Sequence, residues 1–235
     1  IAALQNDTSA MMDAYKGAIN LLKYHQKKND LKLFTHTKIE QIQEVKDGCE
    51  LISEHNHLIK CKYVIIATGF EAGQFLPKKV MSLLSTYAII SQPIDKKMIW
   101  PHRSLIWETA EPYLYMRTTL DNRLIVGGED EEFYDPIKRD DLLRNKIKNL
   151  ERKFKNLYPD IEFITEMAWC GTFSSTEDGL PYMGPWKKGE KKLFALGYGG
   201  NGITFSMVAA QVLRNIILGK NEPRLETFGF DRPQK

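Results

Sequence analysis

The chain has little cysteine, no long apolar run and almost no excess of charge. Its three cysteines, Cys49, Cys61 and Cys170, stand far apart with no C-x-x-C. That spacing excludes a disulfide framework and a cysteine zinc site and suits a reducing compartment, so a cytoplasmic location is expected. Among the five histidines, His55 and His57 share a turn without a third ligand of suitable type, and no metal site is expected. Asn, Arg or Gly breaks the longest apolar stretches well short of the ~20 residues that span a bilayer. A net charge of +3 over 235 residues is too small to point to nucleic acid or a membrane surface. No nucleophile triad is legible, and no catalytic side chain is assigned.

What is present is an ordinary globular balance, 43% hydrophobic and 27% charged, enough for a sizeable core in one or two domains. The chain opens on Ile1, already close to a helix, and reads as a fragment. Asp7, Thr8 and Ser9 offer N-cap side chains for a helix to about Lys28, with Lys27 and Lys28 suiting its C-terminal dipole and Asn29 its C-cap. Strands are expected at "LKLFTH", "KIEQIQEV", "CELIS" and, after a turn at Glu54 to His57, "LIKC". "YVIIATG" is continuously apolar and β-branched, the pattern of a parallel strand buried on both faces.

From about Ser85 short strands alternate with turns, "STYAIISQPI", "SLIWETA", "YLYMRTTL" and "RLIVGGE", which is the pattern of an antiparallel sheet with a tight turn at Asp121-Asn122. Asp135-Pro136 then opens a helix to about Tyr158. Leu143, Ile147, Leu150, Phe154 and Leu157 form its packed stripe, and its many Lys and Arg its solvated outer face. A strand near 163–173 follows, then the turn-rich "SSTEDGLPYMGP", the strand "LFAL" flanked by a lysine-rich tip, and a last helix to Leu218.

Between that last strand and helix lies "GYGGNG", Gly197 to Gly202, a match to G-x-G-x-x-G. A pyrophosphate loop also needs a second strand and an acidic residue about 20 residues on. Glu222 stands near that distance, but Pro223 follows and no strand pattern remains. The pyrophosphate reading therefore fails. Asn201 still suits the helix N-cap, and the glycines let backbone lie flat against an anion or an electron-accepting ring. From residue types alone, a ligand cradle and a close-packed turn both remain open.

"WCGTFSSTEDGLPYMG", Trp169 to Gly184, followed by "LFALGYGGNGITFS", resembles the C-terminal half of the D-amino acid oxidase superfamily, and "HTKIEQI" and "YVIIATGF" fall in the family's order. The resemblance covers nearly the whole chain. It implies an α/β (α+β) fold: a partial, Rossmann-like FAD-binding domain from 1–84 and 176–235, interrupted by an antiparallel-sheet substrate domain at 85–175 with a helix packed on it. It also implies FAD, bound non-covalently, and hydride transfer from a C–N bond. The family's pyrophosphate loop lies before the residues given, so the fragment alone is expected to lack FAD and to need the N-terminal segment of its own chain.

Carried over by position, Ile39 meets the adenine, Ala67, Thr68 and Gly69 end a strand beside the cofactor, and Gly197, Tyr198, Gly199, Gly200, Asn201, Gly202, Ile203 and Thr204 approach the flavin. Two arginines that pair with a substrate carboxylate in glycine oxidase-like members are replaced here by Phe173 and Gly200. An arginine fork is not replaced by a phenyl ring, so a small amine is favoured over a plain α-amino acid as substrate. Arg117 is the surviving candidate, on one strand face with Tyr113, Tyr115 and Thr119, opposite Leu114, Met116 and Leu120. Phe173 would then wall an amine site. Trp169 reads as core, and Cys170 as a small buried residue facing away from Gly171, where sarcosine oxidases attach flavin. Two alternatives keep the fold: oxidation of a C–O bond in a 2-hydroxy acid or glycerol phosphate, and a flavin-free interaction module.

Overall fold

A computed structural model of the protein describes residues 4–6, 8, 10–110, 112–133 and 135–233. It divides into two compact units, 1–63 and 64–235, each described by itself below.

The first unit contains helix α1 (Ala14–Lys28) and a three-stranded antiparallel sheet of β1 (Ile39–Val45), β2 (Gly48–Ser53) and β3 (Leu58–Cys61), in that order. The cap of α1 is Asp13, whose carboxylate accepts from the Lys16 amide at 3.0 Å, rather than a residue of the expected Asp7-Thr8-Ser9 group. Thr8 instead bonds Asn6, and Asp7 and Ser9 lie outside the described residues. "LKLFTH" is not a strand. Positive φ angles at Asp30 and His36 bracket it, and Leu31, Leu33 and Phe34 are exposed. In the sheet, Gly48 faces the Cys61 carbonyl so closely that a Cβ would collide with it, and Cys49 stands opposite Cys61 with no disulfide between them.

The second unit holds two sheets. In one, β10 (Tyr182–Pro185) pairs antiparallel with β11 (Lys192–Leu196), which pairs parallel with β4 (Val64–Ile66). The β10–β11 hairpin carries the lysine-rich tip. Its first strand was hidden in a turn-rich sequence. Ile66 is buried but Ile65 is 46% exposed, so β4 is covered on one face rather than on both. It has a strand neighbour on one side only among the described residues. Helix α3 (Gly202–Ile217) packs on β10 and β11, and the short α4 (Leu225–Phe228) on β10.

The other sheet has the order β6 (Ile106–Trp107), β7 (Leu114–Thr118), β8 (Leu124–Glu132), β5 (Ser82–Ser91) and β9 (Thr165–Ser175), antiparallel throughout. Helix α2 (Pro136–Leu157), capped by Asp135, covers one face of it. Leu150 and Phe154 are fully buried there against Tyr87, Ile89, Leu114, Met116, Leu124 and Val126, with Leu143 and Ile147 beside them. Not all of its basic residues are solvated. Lys146 is buried between Glu129 at 3.5 Å and Glu131 at 2.6 Å, while Lys153 reaches Glu129 at 2.6 Å. Glu129 adopts a left-handed φ of 58° where β8 slips register against β5, which turns its carboxylate toward α2. Burial opposes its charge, but hydrogen bonds from Lys153 and Asn149 and the two lysine charges hold its pKa below the usual carboxylate value.

Candidate functional site

The face of the five-stranded sheet turned away from α2 is lined by alternate residues. On β7 these are Tyr115 and Arg117, since Leu114, Met116 and Thr118 are buried on the other side. The pairing carries that face across Gly127 and Ala88 to Trp169, and across Thr86 to Gly171 and Leu84 to Phe173. Trp169 is therefore not core; it is 40% exposed on this open face. Leu120, expected beside Leu114 and Met116, is 96% exposed because the hairpin turn has begun there.

Gly127 has a local purpose. A Cβ there would fall within the Tyr115 ring, so its absence lets that ring lie across β8. The phenol shares a hydrogen bond with Thr86 on β5. Burial pushes the Tyr115 pKa up, the Thr86 bond opposes that, and Asp130 and Arg117 act in opposite directions. One oxygen of Asp130 is buried without a hydrogen-bond partner.

A second feature meets this face at one corner. Because β4 and β11 run parallel with Ile66 level with Phe194, both end on the same side. Beyond β4 the chain passes Ala67 and Thr68 to a 3₁₀ turn, Gly69–Phe75, that packs on β9 and β11. Beyond β11 it enters the glycine loop and α3. The outer ends of parallel strands are where α/β folds place ligands. The Gly199 amide donates to the Ser174 carbonyl at 3.0 Å, which ties the loop to the end of β9. Phe173 and Gly200, each one residue from an end of that bond, are thereby brought together.

Gly197 and Gly199 take φ angles of 75° and 52°, and Gly69 one of 61°, conformations that favour glycine. At Gly69, Gly199 and Gly200 an added Cβ would meet nothing within 4 Å. These glycines line open space. Asn201 occupies the N-cap position, but its side chain makes no capping bond, leaving the first-turn amides of α3 without a side-chain acceptor. Ile203 and Thr204 are exposed beside them, and burial raises the pKa of the Tyr198 phenol.

Arg117 lies elsewhere. The register aligns it with Ile125, Ile90 and Met167. Phe173 is then about 20 Å along the strands and about 14 Å across them. The Tyr115 hydroxyl reaches further toward Phe173, to the row of Thr86 and Gly171. Ile39 belongs to the first unit, where it begins β1 opposite Ser53. Cys170 faces α2, and its thiol, raised in pKa by burial, donates to Asp140. Glu222 is held by Arg224 at 2.6 Å and by Asn215 at 2.9 Å. Among the described residues no His, Cys, Asp and Glu group could hold a metal, and no helix is long and apolar enough to cross a membrane.

The site is thus a glycine-lined corner outside two parallel strands, beside the open face of an antiparallel sheet. The chain belongs to the FAD dependent oxidoreductase family, whose family model matches residues 1–216. It is similar to a glycine oxidase of Bacillus licheniformis, 35% identical over 206 residues, covering 86% of this chain and 54% of that protein. A gamma-glutamylputrescine oxidoreductase of Escherichia coli is 25% identical over 178 residues, covering 72% and 39%. Among solved structures, the L-proline dehydrogenase of P. horikoshii shares the fold with a TM-score of 0.75 at 19% identity, covering 90% of this chain and 57% of that one. The chain thus spans about half the length of the curated glycine oxidase it matches.

The family's cofactor is FAD, and the corner fits it in kind. Glycines facing open space admit a flat ring system to the backbone, and uncapped helix amides suit its electron-rich edge. Arg232, which donates to Asp178 at 2.8 Å, was not foreseen; nothing in local sequence links residues more than fifty apart.

Proposed function

We propose that the complete protein is an FAD-dependent oxidoreductase acting on the C–N bond of an amine or amino acid, with an amine favoured. The observation that carries this reading is the junction of the glycine loop with β9, where Gly199 meets Ser174 beside Phe173 and the open sheet face. Bound FAD supplies the hydride acceptor. Residues 197–204 with Ala67, Thr68 and Gly69 would hold its ring end. The first-turn amides of α3 would offer preorganised dipoles to negative charge developing there. Phe173 and Trp169 would exclude water, and Tyr115 would orient the substrate from across the sheet. We read non-covalent binding from Cys170, which faces α2.

The substrate half is read as 85–175 and the cofactor half as 1–84 with 176–235, completed by an amino-terminal segment of the same polypeptide. No disulfide joins the three cysteines, which suits a reducing, cytoplasmic setting. The amine preference rests on Phe173 and Gly200 standing where a carboxylate-binding arginine is expected. To test the reading, the full-length protein is loaded with FAD and offered matched amines, amino acids, 2-hydroxy acids and glycerol phosphate without oxygen. Bleaching of flavin absorbance by an amine or amino acid is expected. Bleaching by the hydroxy compounds alone would refute it.

A further inference from the structure

The last described residues return to the turn behind the glycine loop. Phe230 stacks on Tyr182 at 4.8 Å, meets Trp186 at 5.0 Å and sets its edge on Phe194 of β11 at 5.6 Å. That anchor delivers Arg232, whose side chain is 3% exposed, to the turn at 176–181. The guanidinium lies 3.7 Å from the centre of the Tyr182 ring. It donates to the Pro181 carbonyl at 2.6 Å, the Leu180 carbonyl at 2.7 Å and the Asp178 carboxylate at 2.8 Å. Its remaining Nε is buried without a partner.

Burying a guanidinium with one unmet donor is costly, and an apolar side chain would fill the space more cheaply. What an apolar chain lacks is a rigid fork able to hold two carbonyls and a carboxylate at once. The turn so held is closed from within as well. The Thr176 hydroxyl donates to the Leu180 carbonyl at 2.8 Å, and Asp178 accepts from the Leu180 amide at 3.0 Å. Closure fixes the Thr176 methyl, which lies 2.7 Å from where a Gly197 Cβ would be. Gly197 begins the glycine loop, and Ser174, two residues before Thr176, accepts from Gly199. Both anchors of the loop therefore hang on segment 174–176, and Arg232 clamps the turn that continues from it.

We propose that Arg232 is a positioning residue for the cofactor loop: through the 176–181 turn it sets the position of Gly197 and Gly199, and so the loop's affinity for FAD. This rests on the FAD reading above. The test uses the full-length protein. Arg232→Lys keeps the charge and loses the fork, Arg232→Met loses both, and Asp178→Asn weakens the clamp from the other side. Arg232→Lys is expected to stay folded and to bind FAD about tenfold more weakly, the scale of one charge-assisted hydrogen bond. Amide exchange in 174–202 should quicken in the apoprotein. Asp178→Asn should shift both readouts the same way, and it carries the test should the Arg232 variants fail to fold.

Leu150→Ala, in the core under α2, supplies the comparison. It should lower thermal stability while leaving FAD affinity within about twofold, since its damage lies far from the loop. Unchanged affinity and exchange in the folded clamp variants, beside a wild type that takes FAD, overturn the role of Arg232 alone. Affinity falling equally in Leu150→Ala overturns it too, by reducing the effect to general stability. A full-length wild type that takes no FAD overturns the proposed function, and the role with it.

Discussion

Gly200→Arg tests whether the missing carboxylate partner decides the substrate. A Cβ at Gly200 meets nothing within 4 Å, its φ is not left-handed, and the residue is exposed. The substitution should therefore change apoprotein stability by no more than about 0.5 kcal/mol. The new guanidinium would rise beside Phe173, because the Gly199–Ser174 hydrogen bond holds the two positions together. A hydrogen bond to a charged group contributes about 1.5–3 kcal/mol. Against an amine lacking the carboxylate, that predicts a gain of about 10- to 100-fold in relative kcat/KM for the matching amino acid. The assay is kcat/KM for amino acid and amine pairs sharing one side chain, on full-length protein, with Phe173→Arg as the second position. A ratio unmoved in folded, FAD-loaded Gly200→Arg and in the double variant refutes the reasoning. A collapse of amino-acid turnover in Arg117→Ala would refute it from the other side, since the register keeps Arg117 away from Phe173.

Gly127→Ala should displace the Tyr115 ring and cost about 1–3 kcal/mol by overpacking; urea melts should show that cost nearly vanish in a Tyr115→Ala background, where the obstructing ring is gone. Acid should weaken the fold through Glu222, whose pKa the Arg224 hydrogen bonds pull from 4.5 to about 2 against the effect of burial. A depressed carboxylate stabilises fully above about pH 4.5 and loses that contribution as pH falls toward 2. Linkage sets a ceiling of about 3 kcal/mol, and solvent around the partly exposed Arg224 reduces it to about 1 kcal/mol. The stability gap between wild type and Glu222→Gln, followed by urea melts, should therefore close between pH 4.5 and 2. A gap that stays constant through that window sinks the assignment.

Local rules carried the reading wherever one element decided the outcome. The α2 stripe follows from spacing alone, and Leu150 and Phe154 are where that spacing puts them. The same helix misled where a distant residue intervened: Lys146 looks solvated until the bulge in β8 turns Glu129 toward it. β4 carries the composition of a doubly buried strand, yet exposure follows its neighbours, and one flank has no strand partner among the described residues. Trp169 failed for a simpler reason. Its bulk suggested core, whereas alternation with Gly171 and Phe173 already placed it on their face.

The glycine loop shows why a motif's chemistry can be legible while its use is not. Its sequence announces backbone open to a ligand, and Gly69, Gly199 and Gly200 do face open space. What it would hold depends on strands remote in sequence: β4, whose parallel pairing puts Gly69 at the same corner, and β9, which sets Phe173 beside Gly200. The rear of the loop packs on the Thr176 methyl, in a turn locked by Arg232. Substitutions on the open side should therefore alter what binds, and substitutions behind should alter how firmly the loop is held. Substrate choice and cofactor affinity would then be separable properties of one loop.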